Sequence, residues 1–389
     1  MTIDFMADAE ALRDDLIARR RDFHQHPELA FEEHRTAGIV ADELNDLGLE
    51  VQTGIGVTGV VGILEGAADG PTVLYRADMD ALPILEENET DYVSQRPGVM
   101  HACGHDGHTA IALGIAKVLS NHRDSLSGRV KFVFQPAEER GSGAESMIAD
   151  GALDSPAPDY CLGIHLWNDL EVGTVSAVAG PTMSGAGVFE ITITGVGGHG
   201  AMPHQTADPI LCAAQVIVAL QSIVSRNVDP QDLAVITIGT IEGGSARNII
   251  PQSVSFSGSF RLFRESTREL IKTRMREVAE GVASGMGCRA DVNFGLGIGP
   301  VINDAAVTER ARRVMNAIGE NVALVEQAWM ASEDVGLFMQ RNPSAYLLVG
   351  SANHERQLDY PHHHPRFDID EDVLPLSVGL MSAVIADYL

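Results

Sequence analysis

The chain has 389 residues, of which 45% are hydrophobic, and a formal net charge of −27 at pH 7. This length exceeds the size at which a single hydrophobic core usually stops growing, so we expect two domains. The strong negative charge argues against nucleic acid and anionic membrane surfaces as partners. The acidic first residues do not form a signal peptide. The four cysteines have no disulfide-type spacing, so we expect a reduced, cytoplasmic protein.

One helix in the second half of the chain is more apolar than its neighbours. The helix is predicted over residues 207–226, and its most apolar stretch, residues 210–224, is interrupted by three polar residues, Gln215, Gln221 and Ser222. At this length the apolar stretch is too short to span a bilayer. We therefore expect no membrane partner.

Acidic and imidazole side chains recur where predicted buried strands end. Asp78 and Asp80 follow one strand, and Glu138 and Glu139 follow the next. His165 lies at the end of a third strand. Strands that alternate with helices indicate an α/β fold, in which ligands bind at the carboxyl ends of the strands. Taken alone, each acidic pair could also belong to a turn or cap a helix.

The stretch PGVMHACGHDGH, residues 97–108, has the highest density of possible metal ligands. Cys103 and His105 in this stretch are suitable ligands for Zn²⁺. A second cluster, YPHHHPRFDIDE, contains three adjacent histidines before Pro365, and we expect at least one ligand among them.

The candidate ligands are too numerous for one tetrahedral Zn²⁺, which favours a two-metal site. Adjacent residues of an extended segment point in different directions, so Glu139 can bind metal while Glu138 faces a water. A carboxylate in that position can take a proton from the water and return it to a leaving amine. The chemistry predicted for such a site is hydrolysis of an amide.

Residues 184–294 differ in character from the flanking sequence. They predict the order β-α-β-β-α-β, which is that of a small ferredoxin-like domain. Because the α/β pattern resumes afterwards, this domain interrupts a first domain composed of residues 1–183 and 295–389.

Seven motifs occur in one order: RADMDALP, MHACGHDGHTA, QPAEE, GIHLW, GVGGHGAMPH, GGSARNIIP and HHHPRFDIDE. Together they resemble the aminoacylase, hippurate-hydrolase and auxin-conjugate-hydrolase family of amidohydrolases. This family belongs to the zinc-peptidase superfamily and is related to carboxypeptidase G. The resemblance implies a zinc-peptidase-like catalytic domain with an inserted dimerisation domain. It also implies two divalent metal ions per subunit (Zn, Mn, Co or Ni), an N-acyl amino acid substrate, and a homodimer or a larger assembly.

The resemblance also assigns roles to individual residues. The metal ligands would be Cys103, His105, Glu139, His165 and His363. Glu138 matches the general acid/base, and Asp80 matches a carboxylate that orients a ligand histidine. His199 resembles a histidine that reaches the active site of the partner subunit. Asn248 and Arg261 resemble residues that hold the scissile carbonyl or the substrate carboxylate.

Two departures from the family pattern leave parts of the assignment open. Arg140, Gly141 and Ser142 stand where the family usually has glycines, which affects the expected substrate pocket. His362 or His364 could replace His363 as the ligand.

Three rival functions also remain. They are a metallodipeptidase or carboxypeptidase on the same scaffold, a cysteine hydrolase using Cys103, and a non-catalytic binding protein.

Overall fold

The computed structural model describes residues 3–319 and 322–389. The chain forms two compact units. The first comprises residues 1–182, 302–328 and 334–389, and the second comprises residues 183–301 and 329–333. The second unit extends beyond the predicted insert of 184–294 because distant segments bond to its first strand. The Ser184 N–H donates to the carbonyls of Trp329 and Ala331, and Ala186 and Ile298 exchange backbone hydrogen bonds.

The first unit begins with α1 (Phe5–Glu10), α2 (Arg13–Gln25), α3 (His34–Asp46), β1 (Glu50–Ile55), β2 (Gly59–Glu65) and β3 (Ala68–Asp78). It continues with α4 (His105–Asn121), β4 (Ser127–Gln135), α5 (Gly143–Ala149), β5 (Tyr160–Glu171), β6 (Thr174–Ser176) and β7 (Gly180–Met183). The second unit contains β8 (Gly185–Thr194), β9 (Gly198–His199), α6 (Pro209–Arg226), β10 (Ala234–Gly243), β11 (Ile249–Ile250), β12 (Ser253–Leu262), α7 (Glu265–Gly285) and β13 (Arg289–Phe294). The chain ends with β14 (Val301–Asn303), α8 (Ala305–Ile318), β15 (Ala323–Val325), α9 (Gly336–Met339), β16 (Ser344–Ala352) and α10 (Val373–Ala386).

An eight-stranded sheet in the order β1-β2-β4-β3-β5-β16-β6-β15 forms the centre of the first unit. Its middle strands β4, β3, β5 and β16 are parallel. Parallel strands are buried on both faces, which agrees with their continuous apolar runs. Because Arg76 pairs with Gly163, the end of β3 at Asp78 lies level with His165. His165 is therefore in the middle of β5 and not at its end, because β5 continues past the neighbouring strand.

The second unit consists of one four-stranded antiparallel sheet with two helices packed against it. The strand order is β10-β12-β8-β13, and α6 and α7 share one hydrophobic core with the sheet. Along the chain, the four strands of this sheet and the two helices follow the order strand, helix, strand, strand, helix, strand. This is the ferredoxin-like arrangement. A separate two-stranded ladder joins β9 to β11.

The expectation that the most apolar helix is too short to span a bilayer was wrong. Helix α6 has 18 residues, so by length and composition alone it could cross a membrane. Pro209 begins the helix, and the Asp208 carboxylate caps it by accepting hydrogen bonds from the Ile210 and Leu211 N–H groups. One face of α6, including Val216 and Leu220, is buried in the core of the second unit.

Candidate metal centre

His105 is held so that one ring nitrogen remains available. Gly104 has a left-handed backbone (φ 90°), which turns the chain into α4 immediately before His105. The His105 Nδ1–H donates to the carbonyl oxygen of Asp80 at 2.8 Å. Nε2 is buried and has no hydrogen-bond partner among the described residues. A buried imidazole oriented in this way can bind a metal ion through Nε2 when that nitrogen gives up its proton.

His165 presents the same nitrogen from β5. Its Nδ1–H donates to the Leu166 carbonyl oxygen at 2.7 Å, and its Nε2 lies 3.6 Å from Cys103 Sγ. Burial holds the pKa of His165 well below its ordinary value, so the ring is neutral. Neutral imidazole is the form that binds metal.

Glu139 and His363 complete the donor set. His363 Nε2 lies 3.2 Å from Glu139 Oε1. The backbone of His363 is left-handed (φ 66°), and its N–H donates to the Ala102 carbonyl at 2.8 Å. The C-terminal histidine loop is therefore tied to the loop that carries Cys103. Non-glycine residues in this conformation concentrate at functional sites.

The other two histidines of the C-terminal cluster have different partners. His362 Nε2–H donates to the Leu166 carbonyl oxygen at 2.9 Å, and its ring stacks on Trp167 at 4.5 Å. The His364 ring stacks on Tyr360 at 4.7 Å. Neither ring is grouped with the thiol and carboxylate donors.

The five predicted ligands and Glu138 form three overlapping groups whose ligand atoms lie within 4.8 Å of one another. The groups are Cys103–His105–His165, Cys103–Glu139–His363 and His105–Glu138–Glu139. Cys103 belongs to both of the first two groups. The other two members of the first group are different residues from the other two members of the second. All of these residues belong to the first unit.

The electrostatics of this cluster also fit a bound cation. Burial, together with Glu139 and Glu138, raises the pKa of the Cys103 thiol well above its ordinary value. Burial disfavours the charged form of His105, but Asp78, Asp80 and Glu139 raise its pKa to about 10. Cys103 retains its proton chiefly because it is buried, and His105 retains its proton because the surrounding carboxylates make the site negative. A divalent cation would replace these protons, as in metal sites generally.

The Asp80 carboxylate, predicted to orient a ligand histidine, has a different main contact. It accepts hydrogen bonds from the Glu138 N–H at 3.0 Å and the Glu139 N–H at 3.1 Å. His105 instead bonds to the backbone carbonyl of Asp80, although Asp80 Oδ1 lies 3.3 Å from its Nδ1. Asp80 therefore holds the turn that carries both glutamates, and its backbone orients the histidine.

Three further residues support the site and were not assigned from the sequence. His108 Nδ1 lies 2.6 Å from Asp78 Oδ1, and its Nε2 accepts the Leu166 N–H at 2.8 Å. The buried Arg76 donates to Asp78 Oδ2 at 2.7 Å. The spacing of His105 and His108 on one helix face was the available signal.

The remaining predicted residues belong to the second unit. His199 in β9 pairs with Ile249 in β11, and the Gly200 N–H donates to the Asn248 carbonyl at 2.9 Å. His199 is exposed, and its Nδ1 accepts the Ala201 N–H at 3.0 Å. His199 and Asn248 are therefore neighbours in one ladder. Arg261 lies on β12, where its Nη1 donates to Ser332 Oγ.

A parallel sheet that brings thiol, imidazole and carboxylate donors around an additional buried carboxylate is typical of metal-dependent hydrolases. Residues 74–387 match the model of peptidase family M20/M25/M40, and the chain belongs to this family.

Similar proteins cover almost the whole chain. IAA-amino acid hydrolase ILR1-like 4 of Arabidopsis thaliana is 40% identical over 96% of this chain and 86% of its own length. N-acetyl-L-cysteine deacetylase of Bacillus subtilis is 39% identical over 93% of this chain and 85% of its own length. The solved structure of the Bacillus subtilis YXEP protein, described as a dinuclear metal binding peptidase from M20 family, is 32% identical. It covers 98% of this chain and 100% of its own, with a TM-score of 0.86.

Proposed function

We propose that this protein hydrolyses the amide bond of N-acyl amino acids with two divalent metal ions per subunit. The observation that carries the proposal is the sharing of Cys103 by two donor groups, one with His105 and His165 and the other with Glu139 and His363. One shared ligand between two triads suits a pair of ions better than a single ion. The mixture of nitrogen, oxygen and sulfur donors suits Zn²⁺, Mn²⁺, Co²⁺ or Ni²⁺.

Two ions held by these residues would polarise the amide carbonyl and lower the pKa of a water. Glu138 is the general acid/base. Its carboxylate accepts a proton from the attacking water and delivers it to the nitrogen of the leaving amine. Asp80 maintains the position of Glu138 through the backbone N–H. Arg261 and Asn248 are proposed to hold the substrate carboxylate or the scissile carbonyl.

Two relatives support this substrate class. The Arabidopsis relative is named for IAA-amino acids and the Bacillus relative for N-acetyl-L-cysteine. Both names describe amino acid conjugates. A cysteine hydrolase is less consistent with the site, because the raised pKa of Cys103 disfavours the thiolate that would attack.

Metal dependence and substrate class can be tested together. The purified protein is assayed with N-acetyl, N-benzoyl and indoleacetyl amino acids and with unblocked dipeptides, before and after chelation. We expect the N-acyl compounds to be cleaved, chelation to abolish activity, and one of the four metals to restore it. Full activity in a verified metal-free sample would refute metal catalysis, and a preference for dipeptides would identify a metallodipeptidase.

The two glutamates should separate into two roles. Glu138→Gln should keep the metal and lose turnover by about 10²–10⁴-fold, because only proton transfer is removed. Glu139→Gln should instead weaken metal binding. Metal content measured by elemental analysis, together with kcat, distinguishes these outcomes. Equal loss of metal in both variants would contradict the division.

We also propose a homodimer formed through the second unit. Leu211 and Val218 lie on the outer face of α6 and are 54% and 68% exposed. Strand β10 is an edge strand of its sheet and exposes Val235 and Ile241. A long edge strand beside exposed apolar residues favours pairing with another chain. A second copy offers the same surface, as a two-fold interface requires. The dimer is checked by light scattering, with Val218→Glu as the disrupting variant.

The dimer leads to a proposal for His199, whose ring is exposed. We infer that it donates to the developing oxyanion in the active site of the partner subunit, where losing one donor costs about 10²–10³-fold in turnover. Inactive His199→Ala and inactive Glu138→Ala are mixed under conditions that exchange subunits. Each mixed dimer then has one intact site, so activity should rise towards about a quarter of wild type. Proven exchange without recovery would contradict action in trans.

A cytoplasmic location is proposed because all four cysteines are unpaired thiols in the structure. Fractionation followed by thiol titration tests this location.

A further inference from the structure

The turn that carries the two catalytic glutamates is held by three consecutive backbone amides. The Ala137 N–H donates to Glu33 Oε1 at 3.0 Å. The Glu138 and Glu139 N–H groups donate to the two oxygens of Asp80, as described above. All three acceptors are oxygens of carboxylates that are buried. Hydrogen bonds to buried carboxylates are stronger than those between neutral groups.

Glu33 is fully buried in the first unit and uses both of its oxygens. Oε1 accepts the Phe31 N–H at 3.0 Å in addition to the Ala137 N–H. Oε2 accepts the Thr58 hydroxyl at 2.5 Å. One side chain from the segment before α3 therefore connects three separate parts of the chain. Its contact with Ala137 lies one residue before Glu138.

The backbone of Ala137, where this contact is made, has a conformation that is unfavourable for a residue other than glycine. Ala137 has φ 54° and ψ 36°, in the left-handed region that non-glycine residues rarely occupy. Phe31, which bonds to the same Glu33 oxygen, has φ 65°. Such conformations persist only where the surroundings determine them strongly. The left-handed turn at Ala137 directs the following 3₁₀ turn, Glu138–Arg140, towards the metal ligands.

We propose that Glu33 is a positioning residue for catalysis: by holding Ala137 in its left-handed conformation, it aims Glu138 and Glu139 at the metal centre. This inference rests on the proposed function, which gives those two glutamates their roles. Among the described residues, the Glu33 carboxylate accepts hydrogen bonds from Phe31, Thr58 and Ala137, so it acts on the two glutamates through the backbone. What matters about Glu33 is that its side chain is long enough to place an acceptor oxygen within hydrogen-bond distance of the Ala137 N–H.

Two substitutions separate reach from charge. Glu33→Gln removes the charge and keeps an oxygen at the same distance, while its amide group can donate to the Thr58 hydroxyl. Glu33→Asp keeps the charge and withdraws the oxygen by one methylene. Glu33→Ala removes both properties. Glu28→Ala is the matched control, because Glu28 accepts the Arg35 and Thr36 N–H groups at the start of α3, whereas Glu33 accepts the Ala137 N–H of the turn.

We measure kcat, KM, the thermal midpoint, and metal affinity by competition with a chromogenic chelator. Glu33→Asp and Glu33→Ala should lose about 10–100-fold in kcat or metal affinity, as for other residues that support metal ligands. Their KM should change less than twofold, and exchange of the Ala137–Glu139 amides with deuterium should accelerate. Glu33→Gln should stay within about threefold of wild type. Glu28→Ala should lower the thermal midpoint and leave kcat per folded site unchanged.

Two results would overturn the inference. In the first, Glu33→Asp lowers the thermal midpoint while kcat, metal affinity and amide exchange stay at wild-type values, which is a structural role alone. In the second, Glu33→Gln is as impaired as Glu33→Asp, which shows that an acceptor oxygen within reach of the Ala137 N–H is not sufficient. If wild-type protein does not cleave N-acyl amino acids, the proposed function fails. Metal affinity and amide exchange still decide the role of Glu33.

Discussion

Substitution of Arg20 by methionine should strongly destabilise the first unit, because Arg20 is the central cation of a buried network. Its guanidinium has no solvent exposure. Nε donates to Asp106 Oδ2 at 2.9 Å, and Nη2 donates to Asp368 Oδ1 at 2.7 Å. The network joins α2 to the first turn of α4, directly after the loop that carries Cys103, and to the segment before α10.

The magnitude follows from what methionine leaves behind. Methionine fills much of the same volume but donates no hydrogen bond. Asp106 keeps its contact with His24 Nδ1 at 2.7 Å, and Asp368 keeps the Tyr92 hydroxyl at 2.6 Å. Both carboxylates lose their strongest cation. Removing one partner of a buried ion pair costs about 3–5 kcal/mol, which we expect here.

Urea denaturation followed by circular dichroism measures this loss. With a slope of about 3 kcal/mol/M, a loss of that size lowers the midpoint by about 1–2 M. The control is Arg129→Met, which removes an exposed pair with Glu65 and should leave the midpoint unchanged. A decrease of less than about 1 kcal/mol in the free energy of unfolding of Arg20→Met would refute the reasoning. The buried carboxylates would then be stable without the guanidinium cation.

Three further predictions concern buried groups. Burial and Arg20 oppose the charge on His24, but hydrogen bonds to buried carboxylates raise its pKa to about 9. The resulting stability is therefore complete below about pH 6.5 and lost as pH rises through 9, and the pH dependence of unfolding in wild type and His24→Gln checks this. Gly143→Ala should abolish metal binding, measured by elemental analysis, because its Cβ would lie 1.6 Å from the Pro136 carbonyl oxygen. Lys131→Met should cost about 1–3 kcal/mol in urea unfolding, because three backbone carbonyls lose their buried ammonium donor.

The different roles of Glu138 and Glu139 were predicted from the sequence with a reason that proved wrong. We expected an extended segment, in which adjacent side chains point to opposite sides. The structure has a 3₁₀ turn at Glu138–Arg140, in which successive side chains differ by about 120°. The turn could not be predicted because Ala137, and not a glycine, adopts the left-handed conformation before it.

Strand ends could be predicted from local patterns, but the extent of the second unit could not. Apolar runs followed by acidic residues indicate where parallel strands end, and that information is local in the sequence. The inclusion of residues 329–333 depends on hydrogen bonds from Ser184 to Trp329 and Ala331. These contacts join segments separated by about 150 positions. The local sequence of either segment does not indicate that the two segments form hydrogen bonds with each other.

The largest gap between sequence and structure concerns α2 and the segment between α2 and α3, where no site residue was predicted. Arg20 and Glu33 come from this part of the chain, and both are buried and fully bonded. Charged residues are mostly exposed in folded proteins. A sequence-based prediction therefore places them on the surface unless they match a functional motif. Burial of an unpaired charge is costly, so each of these residues needs a buried partner. That partner can lie far away in the sequence, because the fold determines which residues become neighbours. Arg20 meets Asp106, next to His105, and Glu33 meets Ala137, next to Glu138. The N-terminal segment therefore supports both the metal loop and the catalytic turn, and its substitutions should affect metal binding and turnover as well as folding.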